Sequence, residues 1–143
     1  MRRLVLTPTY GSYGDVELLS DFLVSMGGVY NVYKDGGSIV LELDDGLSPA
    51  EVVRRVLDLG YELVLPHFVF AAKPNQDERT VAKRLMESPY VVAAEYYPRS
   101  GRGVLVAVPG TAEEDVAKVL KEVLGRSVRV ESTYVQPIRM SFG

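Results

Sequence analysis

Two short stretches, Ser48-Pro49-Ala50-Glu51 and Thr111-Ala112-Glu113-Glu114, stand 63 residues apart in a chain of 143 residues. Each has the form Ser/Thr-x-x-Glu, in which a hydroxyl and a carboxylate satisfy the free N–H groups at a helix start. The match continues past the boxes. At the same offset Val53 corresponds to Val116, Val56 to Val119 and Leu57 to Leu120, which places one apolar stripe on each helix. A helix start and its buried face repeated at a fixed distance imply two copies of one folding unit.

The segments around each box extend the pattern. Arg2 to Thr7 reads as a strand, and Asp15 to Met26 sets Leu19, Phe22, Leu23 and Met26 on one helical face. Gly27-Gly28 stops that helix. VYNVYK and SIVLEL, joined through Asp35-Gly36-Gly37, read as a hairpin. The helix at Ser48, with Pro49 at its first position, follows, and a strand near Leu63–Leu65 closes the unit. After Pro66 the order returns: HFVFAA, a helix over NQDERTVAKRLM, YVVAAEYY, a turn at PRSGRG, VLVAV, the helix at Thr111 and finally SVRVESTYV. The order β-α-β-β-α-β is the ferredoxin-like arrangement. The expected fold is therefore α+β, with tandem ferredoxin-like repeats at 1–66 and 67–143 and antiparallel sheets carrying helices on one face.

Strands FVFAA, VVAA and VLVAV are apolar at consecutive positions, whereas a sheet wet on one side alternates. Their second face is expected to be covered by the sister repeat, a second chain or another protein. Only Pro66-His67 separates the two middle strands, which favours side-by-side sheets over stacked ones and leads to the expectation of a homodimer, or of docking on a larger protein assembly. Tyr30, Tyr33, Tyr96 and Tyr97 fall on the second strand of each repeat, an edge strand in this fold. Tyrosine combines apolar area with a polar tip and is enriched at interfaces. With Val106, these four are the interface candidates.

Composition removes several functions. The chain has no cysteine, so disulfides, thiolate metal sites and cysteine nucleophiles are excluded. Residues 1–66 carry a net charge of −5 and residues 67–143 one of +2, an asymmetry that favours contact between the halves. The overall acidity argues against nucleic-acid binding, which needs clustered Lys and Arg. No stretch has the roughly 20 apolar residues of a membrane helix, and the apolar run after Met1 ends at Thr7-Pro8, too short for a signal peptide. The expectation is a cytoplasmic protein without cofactor. Few Asn and Gln and no Cys are compatible with a thermophilic source.

The stretches VELLSDFLVSMGGV and LSPAEVVRRVLDLGYE make residues 1–66 resemble the heavy-metal-associated domain of copper chaperones and metal ATPases. In that family a helix ending in Gly-Val, a hairpin and a second helix ending in a Gly-Tyr-Glu-like sequence recur with this spacing. The resemblance implies the fold. It also implies a metal loop with two cysteines just before the first helix, and those positions hold Ser12 and Asp15. Neither replaces a thiolate for a cuprous ion, so the metal function is withdrawn.

The loop Tyr10-Gly11-Ser12-Tyr13-Gly14 remains as the candidate ligand site. A phosphate at the following helix N-terminus competes with Asp15, which caps the same donors; a capped turn is the simpler reading. An amino-acid-sensing pocket of the ACT type, which uses a glycine in this loop, is the alternative function. In the second repeat, Arg102-Gly103 stands where RNA-recognition motifs begin their basic-glycine signature. That family's stacking aromatics are Val104, Val106 and Val108 here, leaving no platform for bases. His67, the one histidine, lacks an identifiable nucleophile or acid beside it, and Glu42-Leu43-Asp44-Asp45 lacks the ligand spacing of a calcium loop. The expected function is a non-enzymatic interaction, accessory or regulatory protein.

Overall fold

The computed structural model describes residues 2–9 and 16–139. Eleven elements run in the order β1 (Arg2–Leu6), α1 (Val16–Ser25), β2 (Val29–Asp35), β3 (Ser38–Leu43), α2 (Pro49–Asp58), β4 (Leu63–Ala71), α3 (Glu78–Met86), β5 (Val91–Tyr97), β6 (Arg102–Ala107), α4 (Glu113–Leu124) and β7 (Arg129–Ile138). The chain divides into two compact units, 1–65 with 136–143, and 66–135.

In the first unit the strands order β1-β3-β2, both pairs antiparallel. The start of β4 joins the far side of β1 through Val64 N–H to Thr7 O (3.0 Å), Thr9 N–H to Glu62 O (3.1 Å) and an antiparallel bridge between Pro8 and Leu63. Period-two alternation sends Leu4, Leu6, Ile39, Leu41 and Leu43 to one face, where all are buried. Leu19 and Leu23 of α1 and Val53 and Val56 of α2 are buried as well.

In the second unit the order is β5-β6-β4-β7. Numbered from the start of each repeat, both units have the sequence of neighbours 2-3-1-4, the ferredoxin-like order. Phe68, Phe70, Leu105 and Tyr96 from the sheet pack with Val81 and Leu85 of α3 and Val116, Leu120 and Leu124 of α4. Gly103 is required here: a β-carbon on it would run into the Phe70 ring and the Glu95 carbonyl oxygen.

Two local expectations need correction. The strands read at Leu63–Leu65 and His67–Ala72 are one continuous strand, β4, which runs through Pro66. Proline supplies the extended φ and removes only one donor. The second capping box does not form. Ser48 does cap α2, its Oγ accepting from Glu51 N–H (3.3 Å), but α4 begins at Glu113 with Ala112 as a cap that lends no side-chain hydrogen bond. Thr111 instead donates its hydroxyl to Val108 O (2.8 Å). The 63-residue offset maps Pro49 onto Ala112, so α4 opens one residue later than α2, and Glu113, Glu114 and Asp115 in its first turn serve the helix dipole.

Candidate interaction surface

The face of the first-unit sheet opposite the buried leucines is set by the register. Arg3 pairs with Glu42 and Val5 with Val40 across β1 and β3; Tyr30 pairs with Glu42 and Tyr33 with Val40 across β2 and β3. Tyr30 and Tyr33 are three residues apart and in a regular strand would point to opposite faces. Between them β2 advances three residues while β3 advances two, a bulge with Asn31 at a φ of +51°. Asparagine is among the residues that tolerate this left-handed conformation. The extra residue brings both tyrosines to the same face.

Two rows result: Arg3, Glu42 and Tyr30, then Val5, Val40 and Tyr33. Arg3 Nη2 donates to the Tyr33 hydroxyl at 3.4 Å, and Asn31 Nδ2 donates to Glu42 Oε2 at 2.8 Å. Val40 is buried between Val5 and Tyr33. Tyr30 and Tyr33 remain 46% and 49% exposed. The surface is amphipathic, with two aromatic rings, one cation and one carboxylate.

On the second unit's edge strand, β5, alternation separates the other two tyrosines. Tyr97 is 48% exposed and donates its hydroxyl to the Glu95 carboxylate. That bond, and the negative charge an ionised phenol would face, hold the Tyr97 pKa above the ordinary tyrosine value. Tyr96 is only 1% exposed. Its hydroxyl donates to Lys73 O (2.6 Å) and accepts from Gln76 N–H (3.3 Å), tying the loop after β4 to the core. Tyr96 is thus a core residue, placed there by the one-residue step that turns Tyr97 outward. Val106 is also buried within the single chain, at 7% exposure.

The loop candidates Tyr10, Gly11, Ser12, Tyr13 and Gly14, with Asp15, lie outside the described residues. His67 is buried and its ring stacks on Tyr134, centroids 4.8 Å apart and planes 19° from parallel. Among the described residues no three His, Asp or Glu side chains gather to hold a metal ion, and no helix is long and apolar enough to cross a membrane. Tyr30 and Tyr33 were singled out from the sequence as interface residues; Arg3, Asn31, Val40 and Glu42, which lie on or shape the same face, were not. Asn31, a polar residue inside a run of strand formers, was the available signal of a bulge.

No family model and no curated protein matches the chain. Among solved structures it is similar to the water-soluble region of the P-type ATPase CopA from Bacillus subtilis, with 14% identity, 91% of each chain covered and a TM-score of 0.49. It is also similar to the N-terminal soluble domains of Bacillus subtilis CopA in solution, with 13% identity, 91% of this chain and 93% of that one covered, and a TM-score of 0.41. Both are soluble parts of a P-type ATPase. At these identities neither says what this chain binds.

Proposed function

We propose that this chain is a non-enzymatic accessory protein that works by docking through a sheet face, and that a second copy of the chain is the occupant of that face. The observation that carries the reading is the pair Tyr30 and Tyr33, brought to one side of β2 and left half exposed. Rigid, amphipathic tyrosines are typical anchors of interfaces. The edges favour a facial contact over strand-to-strand pairing, because β2 and β5 each carry a bulge, and a bulge turns an edge away from further pairing.

A second copy fits because Arg3 and Glu42 lie in register beside the tyrosines. Under a two-fold axis midway between them each charge would meet its opposite on the other copy, as in a self-complementary interface. The four-residue core of the contact is then Arg3, Tyr30, Tyr33 and Glu42, with Tyr96 and Val106 contributing to the fold alone. Replacing both tyrosines, Tyr30→Ser with Tyr33→Ser, is expected to raise the dimer dissociation constant at least about tenfold, the scale of an interface hot spot. Sedimentation equilibrium measures it. An unchanged constant in a variant with wild-type circular dichroism overturns the assignment of this face.

A further inference from the structure

One end of the second unit holds a cleft that the docking reading does not use. The turn between β5 and β6, the loop after β4 and the entry to β7 border an open cleft of about 560 Å³, with Lys73, Arg102 and Arg129 on its walls. Ser100 and Ser127 add two hydroxyls, and Ala71 contributes only a methyl group between the walls. We propose that this cleft binds a phosphorylated small molecule, its phosphate held by the three cations.

The first support is charge. The walls carry three cations from three separate segments and no carboxylate. One carboxylate lies nearby, Glu131, 3.2 Å from Arg102 Nε and 3.9 Å from Arg129 Nη2. It neutralises one charge of three. The Lys73 ammonium has no ion pair among the described residues. Arg102 reaches Glu131 across the intervening strand β4, where its register partner is Ala71; a larger residue there would fill the cleft.

The second support is rigidity. Ala72 N–H donates to Gly101 O (2.7 Å) and Asn75 N–H to Pro98 O (2.7 Å), which fastens the loop after β4 to the β5–β6 turn. Arg102 N–H donates to Ser100 Oγ (3.2 Å), and Tyr96 holds Lys73 O from below. Gly101 sits at a φ of +74°, and a β-carbon on it would collide with the Ala72 carbonyl oxygen. On the third side Val128, between Ser127 and Arg129, is anchored in the core. The backbone that carries these exposed side chains is held in place, so less chain has to be ordered on binding than in a free loop.

The third support is shape. A carboxylate offers two oxygens in one plane, whereas a phosphate presents oxygens in three directions, as three cationic segments around a cleft require. Guanidinium forks match phosphate geometry and an ammonium acts as a point charge. About 560 Å³ exceeds what a bare phosphate occupies and falls within the few hundred to about 1,000 Å³ usual for small-molecule sites. The space beyond the phosphate belongs to the organic part of the ligand.

The test is a titration of the full chain, followed by amide NMR, with AMP, pyrophosphate and citrate. Expected are saturable shifts at Ala72, Ser100 and Ser127. A lower dissociation constant for AMP than for pyrophosphate supports an organic phosphate as ligand. The reverse order keeps the phosphate site and overturns the organic part. Lys73→Ala with Arg129→Ala, both exposed, should weaken AMP at least about tenfold, because each removes a charge-assisted contact to the phosphate. Glu131→Gln removes the competing carboxylate and should tighten it several-fold. No saturable shift, citrate binding as tightly as AMP, or affinity unmoved by both variants overturns the proposal.

Discussion

Adjacent tyrosines on β5 have opposite roles, and each makes a testable statement. Tyr96 holds Lys73 O and Gln76 N–H from the core. Tyr96→Phe keeps the ring and deletes the hydroxyl, so it is expected to cost about 1–2 kcal/mol, the worth of a part-buried hydrogen bond and its unpaired remainder. Urea unfolding measures the loss; an unchanged midpoint contradicts the tie. Tyr97 donates to Glu95 at the surface, and its pKa is raised. A phenol with a raised folded pKa binds its proton more tightly in the folded state. Its contribution to stability is therefore present below the unfolded value near 10 and disappears as pH rises through the higher folded value. Glu95→Gln should bring the Tyr97 midpoint down towards the ordinary value, read from the ring-carbon NMR shift. A midpoint that stays put would show that Glu95 is not the cause.

At the scale of elements, the repeat was legible because helical stripes and capping residues are local properties. Ser48 caps α2 through Glu51 N–H, and the buried positions Val53, Val56, Val116 and Leu120 follow from a period of 3.6. What the sequence hid depends on competition for one group or on cross-strand count. Thr111 has two uses for its hydroxyl, the α4 N-terminus and Val108 O, and the structure takes the second. Ser48→Ala is accordingly expected to cost about 1 kcal/mol, the usual worth of a cap, and Thr111→Ala about 0.5–1.5 kcal/mol through its bond to Val108 O. Thermal unfolding measures both losses, and amide exchange in the first turn of α4 is expected to be unchanged by Thr111→Ala; faster exchange there would restore a second capping box. The bulge at Asn31 was equally hidden, since two-to-one pairing is a property of β2 and β3 together. Without it Tyr33 has no reason to share a face with Tyr30. Pro66-His67 read as a break between strands because proline usually is one, yet β4 runs through it.

For the whole molecule, the apolar second faces led to the expectation of a partner, and much of that apolar area is buried within one chain. Val106 and Val108 in the second unit, and Val40 in the first, are already buried in a single copy; they supply no exposed area to drive association. The half-exposed anchors are Tyr30 and Tyr33, beside Arg3 and Glu42, and their contact is amphipathic. The proposed dimer is held by four aromatic anchors, two from each copy, and two charge pairs, so it should weaken with salt as well as with loss of the rings. The metal loop implied by resemblance has no thiolate at Ser12 or Asp15, and docking is the function proposed for the described surface. Light scattering on the purified wild-type chain across micromolar concentrations tests this most directly. A mass of twice the 15.8 kDa of one chain, falling to the single-chain value in the Tyr30→Ser, Tyr33→Ser variant, is the predicted result; a wild-type mass of one chain at every concentration would contradict it.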